Sequence, residues 1–134
     1  MTYITPEQLA TSAIRSLELT PETLTPKDRL AIPAQEMPTQ DPAVRRSNMD
    51  EVALGYTPEM ARAEALRCLQ CKTAPCIAGC PVGIDIPGFI QAIADGDNKK
   101  SIDILKKDSL LPAVCGRVCP QETQCQAPCP AGEN

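Results

Sequence analysis

Cys68-Leu-Gln-Cys71-Lys-Thr-Ala-Pro-Cys76-Ile-Ala-Gly-Cys80-Pro81 and, further on, Cys115-Gly-Arg-Val-Cys119-Pro120-Gln-Glu-Thr-Gln-Cys125-Gln-Ala-Pro-Cys129 contain every cysteine of the chain, eight in all. Close spacing lets a short turn wrap several thiolates around one centre, which loop residues do and a rigid strand does not. A cysteine followed by proline adds to this reading, because proline fixes φ and has no N–H, so the chain turns away just after the thiol. In bacterial two-cluster ferredoxins the cysteine before proline ligates the other cluster of the pair. The same logic assigns Cys68, Cys71 and Cys76 to one cluster, completed by a distant cysteine. Cys80 is then released to a second cluster shared with the other block. Such cross-ligation ties the two blocks together and contributes folding free energy.

Composition agrees that burial alone does not hold this fold. Of 134 residues only Tyr3, Tyr56 and Phe89 are aromatic, Trp is absent and fourteen are proline. Histidine is absent as well, which removes Cys–His zinc sites, His-ligated haem, Rieske centres and His-dependent nucleophilic catalysis. Thiolates, with carboxylates as the only other candidates, must carry the chemistry. Two four-thiolate zinc sites would use the same eight cysteines, although such sites usually pair compact Cys-x2-Cys knuckles and only Cys68–Cys71 forms one. Disulfides are disfavoured in a reducing compartment. A redox-active pair at Cys68 and Cys71 lacks the βαβ context of thioredoxin-like motifs.

The formal net charge of −4 argues against a nucleic-acid partner. No secretory leader is read in Met1 to Ala13, and no stretch has the apolar length of a membrane span. The expectation is a soluble, cytoplasmic protein.

Working outward, Thr5-Pro6-Glu7 is a helix start, with Leu9, Ala13, Ile14 and Leu17 as its stripe. Five prolines between Thr20 and Pro42 then read as an extended arm over a partner surface, or as a linker. Thr57-Pro58-Glu59 starts another helix, with Met60, Ala63, Leu66 and Leu69 inward, which delivers Cys68 and Cys71. A further helix from near Pro87 to Asp95-Gly96 has Phe89, Ile90 and Ile93 inward. Asp97 caps the next, with Ile102 and Leu105 inward and Lys106 and Lys107 at its negative end. Strand patterning is absent. The predicted fold is all-α: a small, loop-rich, α-helical ferredoxin-like domain with its cysteines at helix ends and in loops. Residues 1–44 are expected to form an N-terminal helix and Pro-rich extended arm, and 45–134 the two-cluster domain. Lys99, Lys100, Lys106 and Lys107 read as a solvated helix face.

Glu64-Ala-Leu-Arg-Cys-Leu-Gln-Cys-Lys-Thr-Ala-Pro-Cys76, with Gly79-Cys-Pro-Val-Gly-Ile-Asp-Ile-Pro-Gly-Phe-Ile90, resembles the N-terminal iron–sulfur domain of the glutamate synthase small (β) subunit. That domain is shared with the large subunit of NAD(P)H-dependent ferredoxin oxidoreductase and with dihydropyrimidine dehydrogenase. Leu111-Pro-Ala-Val-Cys-Gly-Arg-Val-Cys-Pro-Gln-Glu-Thr-Gln-Cys125 resembles the family's second block. The stretch from Met37 to Tyr56 resembles its lead-in, with Met49 where Phe is usual. The resemblance covers roughly residues 27–129 and implies an α-helical ferredoxin-like fold with two 4Fe–4S clusters.

By position, the resemblance implies Cys68, Cys71, Cys76 and Cys129 as ligands of one cluster, and Cys80, Cys119 and Cys125 as ligands of the other. The fourth ligand of the second would be a residue beyond the chain or Cys115, whose family position is not normally a ligand, so that cluster could be incomplete or lost. Members of the family continue into a flavoprotein module that binds FAD and NADPH through Gly-x-Gly-x-x-Gly turns, and no such turn occurs here. The expectation is therefore an electron-transfer domain, not catalytic alone, either excised from a longer protein, which is favoured, or a stand-alone relative. Its partners would be the flavoprotein module of the same parent chain and a larger flavin-containing subunit, in glutamate biosynthesis. The iron–sulfur domain of a ferredoxin oxidoreductase and a structural or docking metal-binding module are the alternatives. Arg117, between Cys115 and Cys119, is a candidate tuning cation or else a solvated side chain.

Overall fold

The structure, a computed structural model, describes residues 20–132. The helix expected from Thr5 to Leu19 lies outside the described residues. Seven helices follow in order: α1 (Pro26–Ala31), α2 (Pro42–Arg45), α3 (Pro58–Leu66), α4 (Pro75–Ala78), α5 (Ile86–Ala94), α6 (Asn98–Asp108) and α7 (Pro112–Val118), and then a single 3-10 turn at Gln121–Thr123. Among the described residues extended pairing is confined to one antiparallel bridge, Thr39 with Ala53. The fold is all-α and loop-rich, as expected. No helix among the described residues is long and apolar enough to cross a membrane.

The short helices start where their caps dictate. Thr57 accepts the Met60 N–H (3.3 Å) at the head of α3. Asp85 accepts the Gly88 N–H (3.0 Å) at α5, and Asp97 the Lys100 N–H (2.9 Å) at α6. Each bond satisfies one of the free amides of a first turn. Lys106 and Lys107 occupy the last turn of α6, where the helix dipole favours cations.

Helix α5 packs against both α3 and α6. Met60 is fully buried on α3, with Ala63, Ala65 and Leu66 beside it, so Met60, Ala63 and Leu66 face inward as expected, whereas Leu69 lies past the end of the helix and is half-buried. On α5, Phe89, Ile90 and Ile93 are half-buried and Ala92 and Ala94 are the deepest residues. One inward assignment fails. Ile102 is 36% exposed, and Ser101 is the buried residue of α6. A small side chain at the contact lets two helices approach closely, which rotates the buried stripe by one position.

The larger difference concerns the Pro-rich segment expected to be an extended arm or linker. Over residues 20–35 it is a packed strap. Leu24 and Ile32 join Ala65, Leu66 and Ala94 in the core, with Ile90 and Ile93 against them. Helix α1 forms among the prolines because Thr25 and Asp28 make a reciprocal capping box and Pro26 takes the first helical position. The Asp28 N–H donates to the Thr25 hydroxyl (3.3 Å), and the Thr25 N–H donates to the Asp28 carboxylate (3.0 Å). The strap continues to Gln35, whose carbonyl accepts the Tyr56 hydroxyl (2.7 Å) and whose N–H donates to Glu64 (2.9 Å).

The two cysteine blocks meet through Gly79. A Cβ there would lie 2.7 Å from the Gln124 carbonyl oxygen and 3.2 Å from the Cys125 Cα, both backbone atoms with little freedom to yield. Gly116 is the counter-case, since a Cβ there meets nothing within 4 Å.

Two measurements check this account. Gly79→Ala forces the blocks apart and should destabilise the chain by ~1–3 kcal/mol in denaturant unfolding. Gly116→Ala, inside α7, should instead be neutral or stabilise by up to about 1 kcal/mol. Thr25→Ala removes the capping box and should cost about 1 kcal/mol in the same assay; an unchanged midpoint would mean that α1 contributes nothing to the fold.

Candidate iron–sulfur site

The eight thiols are all partly buried, and none forms a disulfide. Helix α3 ends at Leu66 and hands the chain to Cys68. Gln70 (φ 51°) and Ala74 (φ 39°) then flank Cys71 in left-handed conformations that side chains other than glycine rarely adopt. These two reversals, with the short helix α4 that carries Cys76, curl the block back on itself. The Gln70 amide nitrogen donates to the Pro87 carbonyl (3.1 Å) and lies 3.5 Å from the Cys68 sulfur, which pins the turn to the head of α5. Backbone strain of this kind persists where the surroundings over-determine it, commonly at functional sites.

The last cysteine is drawn back to the first block by α3. Glu64 pairs with Arg67, and Arg67 Nη2 donates to the carbonyl of buried Ala131 (3.3 Å). The Gly132 N–H closes a turn onto the Cys129 carbonyl (2.9 Å). The charges of Cys129 and Cys71 are accordingly felt at Cys68, and those of Cys129 and Cys68 at Cys76. Burial, reinforced by these neighbouring thiolates, pushes the Cys68 and Cys76 thiols up.

A second set gathers around Cys80 and the end of α7. Cys80 and Cys125 interact with Cys119, and Cys80 with Cys125. Cys115 lies one turn before Cys119 on α7, and the Cys119 N–H donates to its carbonyl (3.0 Å). The Cys115 sulfur is 3.8 Å from the hydroxyl of buried Ser109. Desolvation, and then the charge and hydrogen bonding of Cys115, push the Cys119 thiol up. Burial does the same at Cys125. Cys80 goes the other way. Desolvation opposes its ionisation, but the backbone N–H groups of Ile84, Val82 and Gly83 outweigh it and hold the thiol below its ordinary range. Successive N–H groups around a sulfur form an anion nest.

Charge interactions link Cys68 with Cys71, Cys76 and Cys129 as one set, and Cys119 with Cys80, Cys115 and Cys125 as another. Cys125 also senses Cys129, so the sets adjoin. Each draws on both sequence blocks. Among the described residues no three Cys, Asp or Glu side chains converge tightly enough to hold a single metal ion. Tetrahedral zinc, with bonds of ~2.3 Å, would bring its four sulfurs to about 3.8 Å of one another. A 4Fe–4S cluster spreads its ligands over four irons, and an all-cysteine donor set without histidine suits it.

Arg117 is not free to tune such a site. It is exposed, and its guanidinium grips Glu51 (2.6 and 3.2 Å) and the Ala113 carbonyl (3.1 Å). That pair joins α7 to the 46–55 loop, and the carboxylate offsets the charge. Lys99, Lys100, Lys106 and Lys107 are all exposed, and Lys99 pairs with Asp103 (2.8 Å). Two contributors had no signature in the sequence. Gln70 is one. The other is Arg29, one of three charged residues (with Lys27 and Asp28) between Leu24 and Ile32.

Residues 45–134 match the family model described as dihydropyrimidine dehydrogenase domain II, 4Fe-4S cluster. The NAD-dependent dihydropyrimidine dehydrogenase subunit PreT of Salmonella typhimurium is 40% identical over 85 residues, which is 63% of this chain and 21% of the relative. The NADPH glutamate synthase small chain of Azospirillum brasilense is 33% identical over 97 residues, 72% of this chain and 20% of that one. The putative oxidoreductase AegA of Escherichia coli is 31% identical over 119 residues, 88% of this chain and 16% of the relative. The matched stretch therefore spans about a fifth of the curated relatives. With its thiols gathered from both cysteine blocks and the family model covering all of them, the chain belongs to the family of dihydropyrimidine dehydrogenase domain II, an iron–sulfur domain of oxidoreductase subunits.

Proposed function

We propose that the chain holds two 4Fe–4S clusters, one on Cys68, Cys71, Cys76 and Cys129 and one on Cys80, Cys119 and Cys125. When bound, these clusters supply one-electron relay between an FAD module reduced by NADPH and a flavin of a larger partner subunit, as in glutamate biosynthesis. The observation that supports this reading is the match of residues 45–134, which contain every cysteine, to a 4Fe-4S domain, with Gly79 bringing the two cysteine blocks into backbone contact. Residues 45–134 would form the cluster domain, with 20–44 as the strap that covers it, and the cytoplasm would be its compartment.

The side chains and backbone have distinct parts. The N–H groups of Val82, Gly83 and Ile84 lower the Cys80 thiol and so favour the thiolate that ligation requires. The same donors would also favour extra negative charge on a bound centre, which is how hydrogen bonds to sulfur raise a potential. Burial of Cys68 and Cys76 excludes water and keeps those thiols protonated until metal displaces the proton. Cys115 stands one turn from Cys119 and is the nearest candidate for a fourth ligand of the second set, a residue beyond position 134 being the other.

A second reading is favoured by the 40% identity to a subunit named for NAD-dependent dihydropyrimidine dehydrogenase. There NADH would replace NADPH as the donor, and the electrons would go to a pyrimidine-reducing partner. Both readings need the same two clusters.

Anaerobic reconstitution with iron and sulfide should load about eight irons per chain, and dithionite should bleach the visible absorbance reversibly. Two zincs and no iron would sink the proposal. About four irons would mean that one set alone is competent. Cys115→Ser should leave roughly eight irons if the fourth ligand lies elsewhere, and about four if Cys115 supplies it.

A further inference from the structure

Arg29 is 8% exposed, which is unusual for a guanidinium. Its Nη1 donates to the carbonyls of Leu66 (3.1 Å) and Cys68 (2.9 Å), and its Nη2 to the carbonyl of Pro21 (2.7 Å). No carboxylate pairs with it among the described residues. Removing a cation from water without a counter-charge is costly, so something near it must be negative. Part of the compensation is the C-terminal end of α3, whose final carbonyls carry the negative pole of the helix. The Leu66 carbonyl belongs to that end, and the Cys68 carbonyl lies two residues beyond it. The remaining candidate is the redox site that begins at Cys68, whose backbone carbonyl the guanidinium holds at 2.9 Å.

We propose that Arg29 is a positioning residue for the redox site at Cys68, Cys71, Cys76 and Cys129. It grips the backbone that presents Cys68 and holds a permanent positive charge beside a site that becomes more negative with each electron. The residue comes from the strap, outside the 45–134 stretch matched to the family. The strap therefore does more than cover the core: it sets the electrostatics of the first cysteine set. Arginine suits the task better than lysine, because its planar fork reaches carbonyls on two sides at once and stays charged at any working pH. Arg117 is the contrast, since Glu51 offsets its charge at the surface.

The inference rests on the cluster reading above, and its test separates the two. The full chain, Arg29→Gln and Arg29→Lys are reconstituted anaerobically and their iron is counted. Reduction is then followed by EPR in a dye-mediated potentiometric titration. Arg29→Gln should keep its iron and lower one midpoint, with the other unmoved, by about 59 mV, a tenfold fall in the reduced-to-oxidised ratio at fixed potential. Arg29→Lys, which keeps the charge, should hold the ratio within about threefold of the unsubstituted chain. Full iron content with both midpoints unmoved in Arg29→Gln would overturn the inference and leave the cluster reading standing. If Arg29→Gln does not fold, judged by circular dichroism, Arg29→Lys decides: a ratio within threefold supports the charge, and a tenfold fall overturns it. An unsubstituted chain that takes up no iron overturns both readings, and that failure shows in the iron count before any titration.

Discussion

Three carbonyls, of Pro21, Leu66 and Cys68, converge on the guanidinium of Arg29, and this junction sits where the strap, the end of α3 and the first cysteine block meet. Each partner is a backbone carbonyl, at a buried or half-buried place where a hydrogen bond is needed. Charge-assisted bonds of this kind are about twice as strong as neutral ones, and they cannot slide as apolar contacts can. The position of Cys68 relative to the core is thereby set by backbone bonds, not by the packing of its own side chain. Leu24 and Ile32, on either side of α1, complete the junction by packing on Ala65, Leu66 and Ala94.

The core around this junction is thin. Met60 is the single large side chain that is fully buried among the described residues, and alanines make up much of the remainder. A domain of this kind needs cohesion from another source, and the crossing of the two cysteine blocks is placed to supply it. Metal binding that draws on distant residues is folding free energy. Gly79 is where the backbones come closest, and Arg67 brings the Ala131 loop, with Cys129, to the end of α3.

The two thiol sets differ in their surroundings. Cys68 lies against the strap and its buried cation, while Cys80 sits in a nest of backbone amides and Cys119 at the exposed end of α7. Leu110, Leu111, Val114 and Val118 are exposed around that helix, which joins the 46–55 loop through Arg117 and Glu51. A buried cation and a nest of amides both favour negative charge at sulfur, but one acts through a side chain from outside the matched stretch and the other through local backbone.

Much of this was legible in the chain as written. Thr57-Pro58 and Asp97 cap helices because an oxygen at that offset meets a free amide whatever surrounds it, and the spacing of Cys68, Cys71, Cys76 and Cys80 is likewise local. The strap was misread because five prolines outweighed the Thr25-Pro-Lys-Asp28 box, whose signal is four residues long. Ile102 was misplaced because periodicity finds an apolar stripe but not the small residue that lets a neighbouring helix close on it. The partners of Arg29 and Arg67 lie up to 39 and 64 residues away. No local pattern encodes such pairings, and they exist only once the chain has folded back on itself. Local spacing thus determined where the cysteines and helix caps fall along the chain, whereas long-range hydrogen bonding decided how the strap and the Ala131 loop close on the end of α3 and which charge stands beside Cys68.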